Sequence, residues 1–94
     1  TQGYSSAASD VYKRQELKKH DEENQTQYME TLRVYLEQHL SATQAARELF
    51  IHRSTFLYRL DRIKEILQSE LDDPEEIFYL ELSFRLLEQE QEKE

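Results

Sequence analysis

A chain of 94 residues, 37% of them hydrophobic, allows one small domain whose core needs most of the chain. No cysteine is present, so a disulfide framework and a thiolate metal site are excluded, and the composition fits a reducing cytoplasm. The formal charge of −8 weighs against non-specific affinity for nucleic acid, and no apolar run approaches the roughly 18 residues of a membrane span.

One glycine (Gly3) and one proline (Pro74), together with the absence of alternating strand patterns, predict an all-α fold. The expected form is a small helical bundle of about four core helices containing a helix-turn-helix. No secretory signal is visible, and the start at Thr1 suggests a fragment.

Residues 1–24 offer little to bury and read as a disordered or artefactual segment preceding a domain over 25–90. Ser5 to Gln15 resembles a string found at the ends of fragments translated from environmental DNA, and is set aside as a cloning or sequencing scar. Lys13 to His20 has a helical composition without an evident packing role. The acidic run Asp21-Glu22-Glu23-Asn24 reads as solvated chain.

The first clear helix is predicted from about Thr26 to His39, with Thr26 as N-cap. Met29, Leu32, Leu36 and Leu40 recur at helical spacing there. Leu40-Ser41-Ala42 breaks the pattern, and Thr43 is the expected cap of a short helix over about 44–50 that buries Ala45, Ala46 and Leu49. Ile51 and His52 form a turn, with Ile51 plugging the gap between helices and His52 capping the next one.

That third helix, continuing to about Ser69, carries Phe56, Leu60, Ile63 and Leu67 as its apolar stripe. Asp73 as N-cap, Pro74 at the first helical position and Glu76 completing a capping box start the last helix. It carries Ile77, Leu80, Leu82, Phe84 and Leu87 before an acidic tail.

The charge is unevenly spread. Residues 41–67 hold five bases against three acids, a net +2, whereas residues 68–94 hold ten acids against Arg85 and Lys93, a net −8. A short helix, an apolar plug and a second helix with basic and polar side chains form the layout that sets one helix in a DNA major groove. The recognition helix is then about 53–67.

Arg53 is the candidate for a bidentate guanine contact, and Ser54 and Thr55 for bonds to a base or phosphate. Arg59 and Arg62 suit phosphates, and Tyr58 lies on the same face. Asp61 and Glu65 would repel phosphate and limit groove entry to the first two or three turns. The plainer alternative is an acidic helical bundle for protein interaction or dimerisation without DNA binding, with Phe78, Tyr79 and Phe84 available on the last helix.

No catalytic residue, metal ligand set or cofactor site is identifiable. His20, His39 and His52 are too scattered for a metal, Ser54 with His52 lacks a third group, and Asp72, Asp73, Glu75 and Glu76 lack calcium-loop spacing.

The motif Thr43-x-Ala-Ala-x-x-Leu-x-Ile-x-Arg-x-Thr closed by Leu60 resembles the Fis-type helix-turn-helix. The longer run through Thr31-Leu-Arg-Val-Tyr-Leu-Glu, Ala45 to Ile63 and Leu71-Asp-Asp-Pro-Glu resembles the C-terminal domain of PucR/CdaR regulators, over about residues 28–87. The resemblance implies a bacterial transcription factor responding to metabolites through a domain N-terminal to this one, hence no small-molecule ligand here. It also implies double-stranded DNA as partner and, for the full-length regulator, a homodimer. By that resemblance Arg53, Ser54, Thr55, Tyr58 and Arg59 fall on recognition-helix positions; with Thr43, His52 and Arg62 they are the candidate DNA-binding residues. Two departures stand out. Phe50 occupies a turn position often held by glycine, and Leu57 stands where arginine is common.

Overall fold

The computed structural model describes the backbone of residues 6–92 and the side chains of residues 14–86. Five helices and no strand occur among them: α1 (Ser6–Asn24), α2 (Tyr28–Glu37), α3 (Ala42–Leu49), α4 (Arg53–Leu67) and α5 (Pro74–Glu92). The chain is a small all-α bundle.

Its core follows from the helical periodicity. Leu32 and Leu36 of α2, Ala45 and Ala46 of α3, the stripe Phe56, Leu60, Ile63 and Leu67 of α4, and Leu80 and Phe84 of α5 are all buried together. The rings of Tyr35 and Phe56, 5.6 Å apart, join α2 to α4. Alanine at 45 and 46 lets α3 approach its neighbours closely, and α3 packs on both α2 and α4. Ile51 and Leu49 pack partly buried at the turn, as a plug requires.

The segment expected to stay outside the domain is corrected by α1. This helix packs against α2, α4 and α5, and its Leu17 is fully buried in the core. Asp21 to Asn24 is helix; Glu22, Glu23 and Asn24 are solvent-exposed as expected, whereas Asp21 is half-buried. The N-terminal part of α1 includes most of the piece set aside as a scar, and of that piece the half-buried Arg14 has its Nε buried. The part of the expectation concerning residues 1–5 lies outside the described residues.

Asp21 also corrects the cap of α2. Thr26 is not the N-cap, since Gln27 holds that position without a side-chain capping bond. The Asp21 carboxylate supplies the acceptors, taking the backbone N–H of Tyr28 at 2.9 Å and of Met29 at 2.8 Å. Thr26 donates its hydroxyl to the same carboxylate and lies 3.1 Å from His20 Nδ1. The His20 ring stacks on Tyr28 at 5.0 Å. An anion at a helix N-terminus satisfies orphan amides and complements the helix dipole.

Glycine scarcity does not keep the turns out of the left-handed region. Gln25, His39, Leu40, Phe50, Gln68 and Leu71 all have positive φ. For a residue with a Cβ each such position costs on the order of 1 kcal/mol.

At the start of α5 two of the three expected roles are present: Asp73 Oδ1 accepts the Glu75 N–H at 3.1 Å, and Pro74 is the first helical residue. Glu76, expected to complete a capping box, accepts the Ser69 hydroxyl, and that same Ser69 oxygen accepts the Leu71 N–H at 3.0 Å. Leu87 falls outside the described side chains.

Candidate nucleic-acid interface

The pair α3–α4 and its turn present the candidate residues. Ser41, not Thr43, caps α3: its Oγ accepts the Gln44 N–H at 3.2 Å, and its backbone is extended at φ −95°. Thr43 is thereby an exposed residue of the first turn of α3. α3 ends on Phe50 in the left-handed conformation, φ 59° and ψ 42°, which returns its N–H to the Arg47 carbonyl at 3.1 Å. This glycine-like turn is adopted by a phenylalanine whose ring is 94% exposed.

His52 holds the N-cap position of α4, as expected, without a side-chain capping bond. Arg53, Ser54, Thr55 and Tyr58 are all exposed at the start of α4. Among the described residues their side chains make no hydrogen bond or ion pair, which leaves their donors and acceptors open to a partner.

Arg59 and Arg62 stand differently. Arg59 is set about 70° from the centre of the apolar stripe at 100° per residue, and it is half-buried. Its Nη1 donates to Thr31 Oγ1 on α2 at 3.2 Å, and Thr31 in turn donates to the Gln27 carbonyl at 2.7 Å. Arg62 points outward and pairs with Glu65 at 2.7 Å, one turn along the same face. The free basic and polar groups therefore concentrate at the first turns of α4, with Arg47 exposed at the end of α3 beside them. Leu57 is partly buried against the core, so its departure from arginine serves packing.

Away from this pair, Arg33 is flanked by Glu30 and Glu37, at 2.5 Å from the latter, and these carboxylates hold its guanidinium above the ordinary value. An open cleft of about 340 Å³ lies between α2 and α5, lined by Arg33, Leu36, Glu37, His39, Glu81, Phe84 and Arg85. None of its lining residues comes from α3 or α4. On α5, Phe84 is buried and so not available to a partner as expected, whereas Phe78 is exposed and meets Tyr79 edge-on at 5.5 Å. Among the described residues no cluster of metal-ligating side chains occurs and no helix is long and apolar enough to cross a membrane.

The sequence that builds this pair matches a known family. The model of the PucR C-terminal helix-turn-helix domain covers residues 28–86. The chain belongs to that family. It is similar to the purine catabolism regulatory protein of Bacillus subtilis (strain 168), with 39% identity over 72 residues, 77% of this chain and 13% of that protein. It is also similar to the proline-responsive transcriptional activator PutR of the same organism, with 40% identity over 57 residues, 61% of this chain and 14% of that protein. The chain thus spans about one seventh of each relative. No solved structure matches significantly.

In this PucR-type helix-turn-helix domain, the missed position is Phe50. The sequence already set it apart as a turn residue without glycine. Its outward ring could be learned only from the fold.

Proposed function

We propose that this PucR-type domain binds double-stranded DNA sequence-specifically as the C-terminal module of a bacterial, cytoplasmic transcriptional regulator, with α4 in the major groove. The observation that carries the reading is the unengaged set Arg53, Ser54, Thr55 and Tyr58 at the exposed start of α4. Residues at that end of a recognition helix touch base edges.

Arg53 reads a guanine through two parallel N–H bonds, while Ser54 and Thr55 bond a neighbouring base or phosphate. Arg62 meets a phosphate once it exchanges Glu65 for it. Arg59 positions α4 through Thr31 and reaches the backbone only at its edge. Thr43 and His52 face the flanking phosphates from α3 and the turn. The role is non-enzymatic, and the full-length regulator acts as a homodimer on a two-fold site. The −8 charge makes non-specific binding weak, so affinity rests on these few contacts.

Selection from a random duplex pool, with the chain fused to a neutral dimerising tag, tests this. Enrichment of a two-fold motif, lost with Arg53→Ala, is the expected result. Absence of enrichment even at low salt would defeat it.

A second reading is favoured by one observation. Phe78, Leu82 and Leu86 recur at four-residue spacing on α5 and are 58%, 40% and 52% exposed. Under that reading α5 pairs with another helix and the α3–α4 pair is structural. Failed DNA selection together with concentration-dependent sedimentation of the chain would favour it.

A further inference from the structure

Phe50 has the largest exposure among the exposed large apolar side chains described, 94% against 63% for Tyr58 and 58% for Phe78. It does so at a position where the backbone is left-handed, φ 59°, and where a side chain brings strain without any return in core packing. Its neighbours Leu49 and Ile51 are both tucked against the core. The ring is therefore directed outward at the turn, in a segment that runs in sequence from the exposed Arg47 to the exposed Arg53.

We infer that Phe50 is an additional DNA contact, an apolar one, packing on the C5-methyl group of a thymine next to the base read by Arg53. The inference rests on the DNA-binding reading above. Three residues of chain span at most about 11 Å, a spacing compatible with contacts to neighbouring base pairs of one groove. The thymine methyl is the apolar feature of the major groove and a known partner for phenylalanine. A duplex is favoured over a protein partner because Phe50 lies in the net-basic stretch 41–67, with exposed Arg47 and Arg53 on either side of it in sequence and Glu48 the one acid between them, whereas the exposed apolar stripe on α5 lies in the acidic part of the chain.

The test uses the duplex selected by the 94-residue chain and versions of it in which single thymines are replaced by deoxyuridine, which removes only the methyl group. The unsubstituted chain loses about three- to ten-fold in affinity at one such position. Phe50→Gly and Phe50→Asn, both compatible with the left-handed turn, bind the thymine duplex more weakly by the same factor and are indifferent to deoxyuridine there. Both variants melt no lower than the parent chain, which separates a lost contact from lost folding. Unchanged or tighter binding by both variants overturns the inference while leaving the DNA reading intact, and frees the ring for a protein partner. Weaker binding by the variants without any deoxyuridine effect overturns the thymine assignment. If the parent chain enriches no duplex at low salt, the DNA reading itself falls and takes this contact with it.

Discussion

Asp21 caps the helix that begins at Tyr28, its Oδ1 accepting the Tyr28 N–H at 2.9 Å from the end of the preceding helix. Because Oδ2 takes the Met29 N–H at 2.8 Å and Thr26 donates to Oδ1, one carboxylate joins α1, the linker and α2. Asp21→Ala is expected to lower unfolding free energy by about 1–2 kcal/mol, with Asp21→Asn retaining part of it. Urea denaturation reads the difference, and an unchanged midpoint for the alanine variant would sink the capping role.

The burial of Leu17 makes α1 part of the packed body. Leu17→Ala should cost about 2–4 kcal/mol, as for other fully buried leucines. A chain lacking residues 1–24 should unfold at a lower denaturant midpoint still. Equal stability of the shortened and full chains would return the domain boundary to residue 25.

Arg62 and Arg53 are separable by salt. Arg62→Ala should weaken binding evenly across sequences and lower the slope of log affinity against log salt by about one. Arg53→Ala should instead relax preference at one base pair. Titrations of matched and mismatched duplexes at several salt concentrations check both, and a base-specific loss for Arg62→Ala would reverse the assignment.

Burial pushes the Tyr35 phenol above its ordinary value. The folded state thus holds that proton more tightly than the unfolded chain. The stabilisation is complete below the ordinary tyrosine value of about 10 and is lost as pH rises through the higher folded value. Tyr35→Phe should remove this contribution, so the decline in stability above pH ~10 becomes shallower. Denaturant midpoints measured across that range for both chains decide it.

The all-α class, the helices α2 to α5 and the stripe Phe56, Leu60, Ile63 and Leu67 were legible in the sequence because they rest on local periodicity. So was the start of α5, where Asp73 and Pro74 act within one turn. The candidate DNA face was legible as residue types, since Arg53, Ser54, Thr55 and Tyr58 need only their helical phase to be exposed.

What the tertiary structure decided depends on contacts between distant residues. Leu17 gives α1 too weak a pattern to reveal a buried face, and only its packing against α2, α4 and α5 does so. Arg59 reads as a surface base until α2 brings Thr31 to 3.2 Å from it. Phe50 reads as a missing glycine until the turn closes and holds its ring in solvent. Periodicity along a helix is written in neighbouring residues, whereas a long-range cap, a tether between helices and the direction of a turn exist only once the chain has folded back on itself.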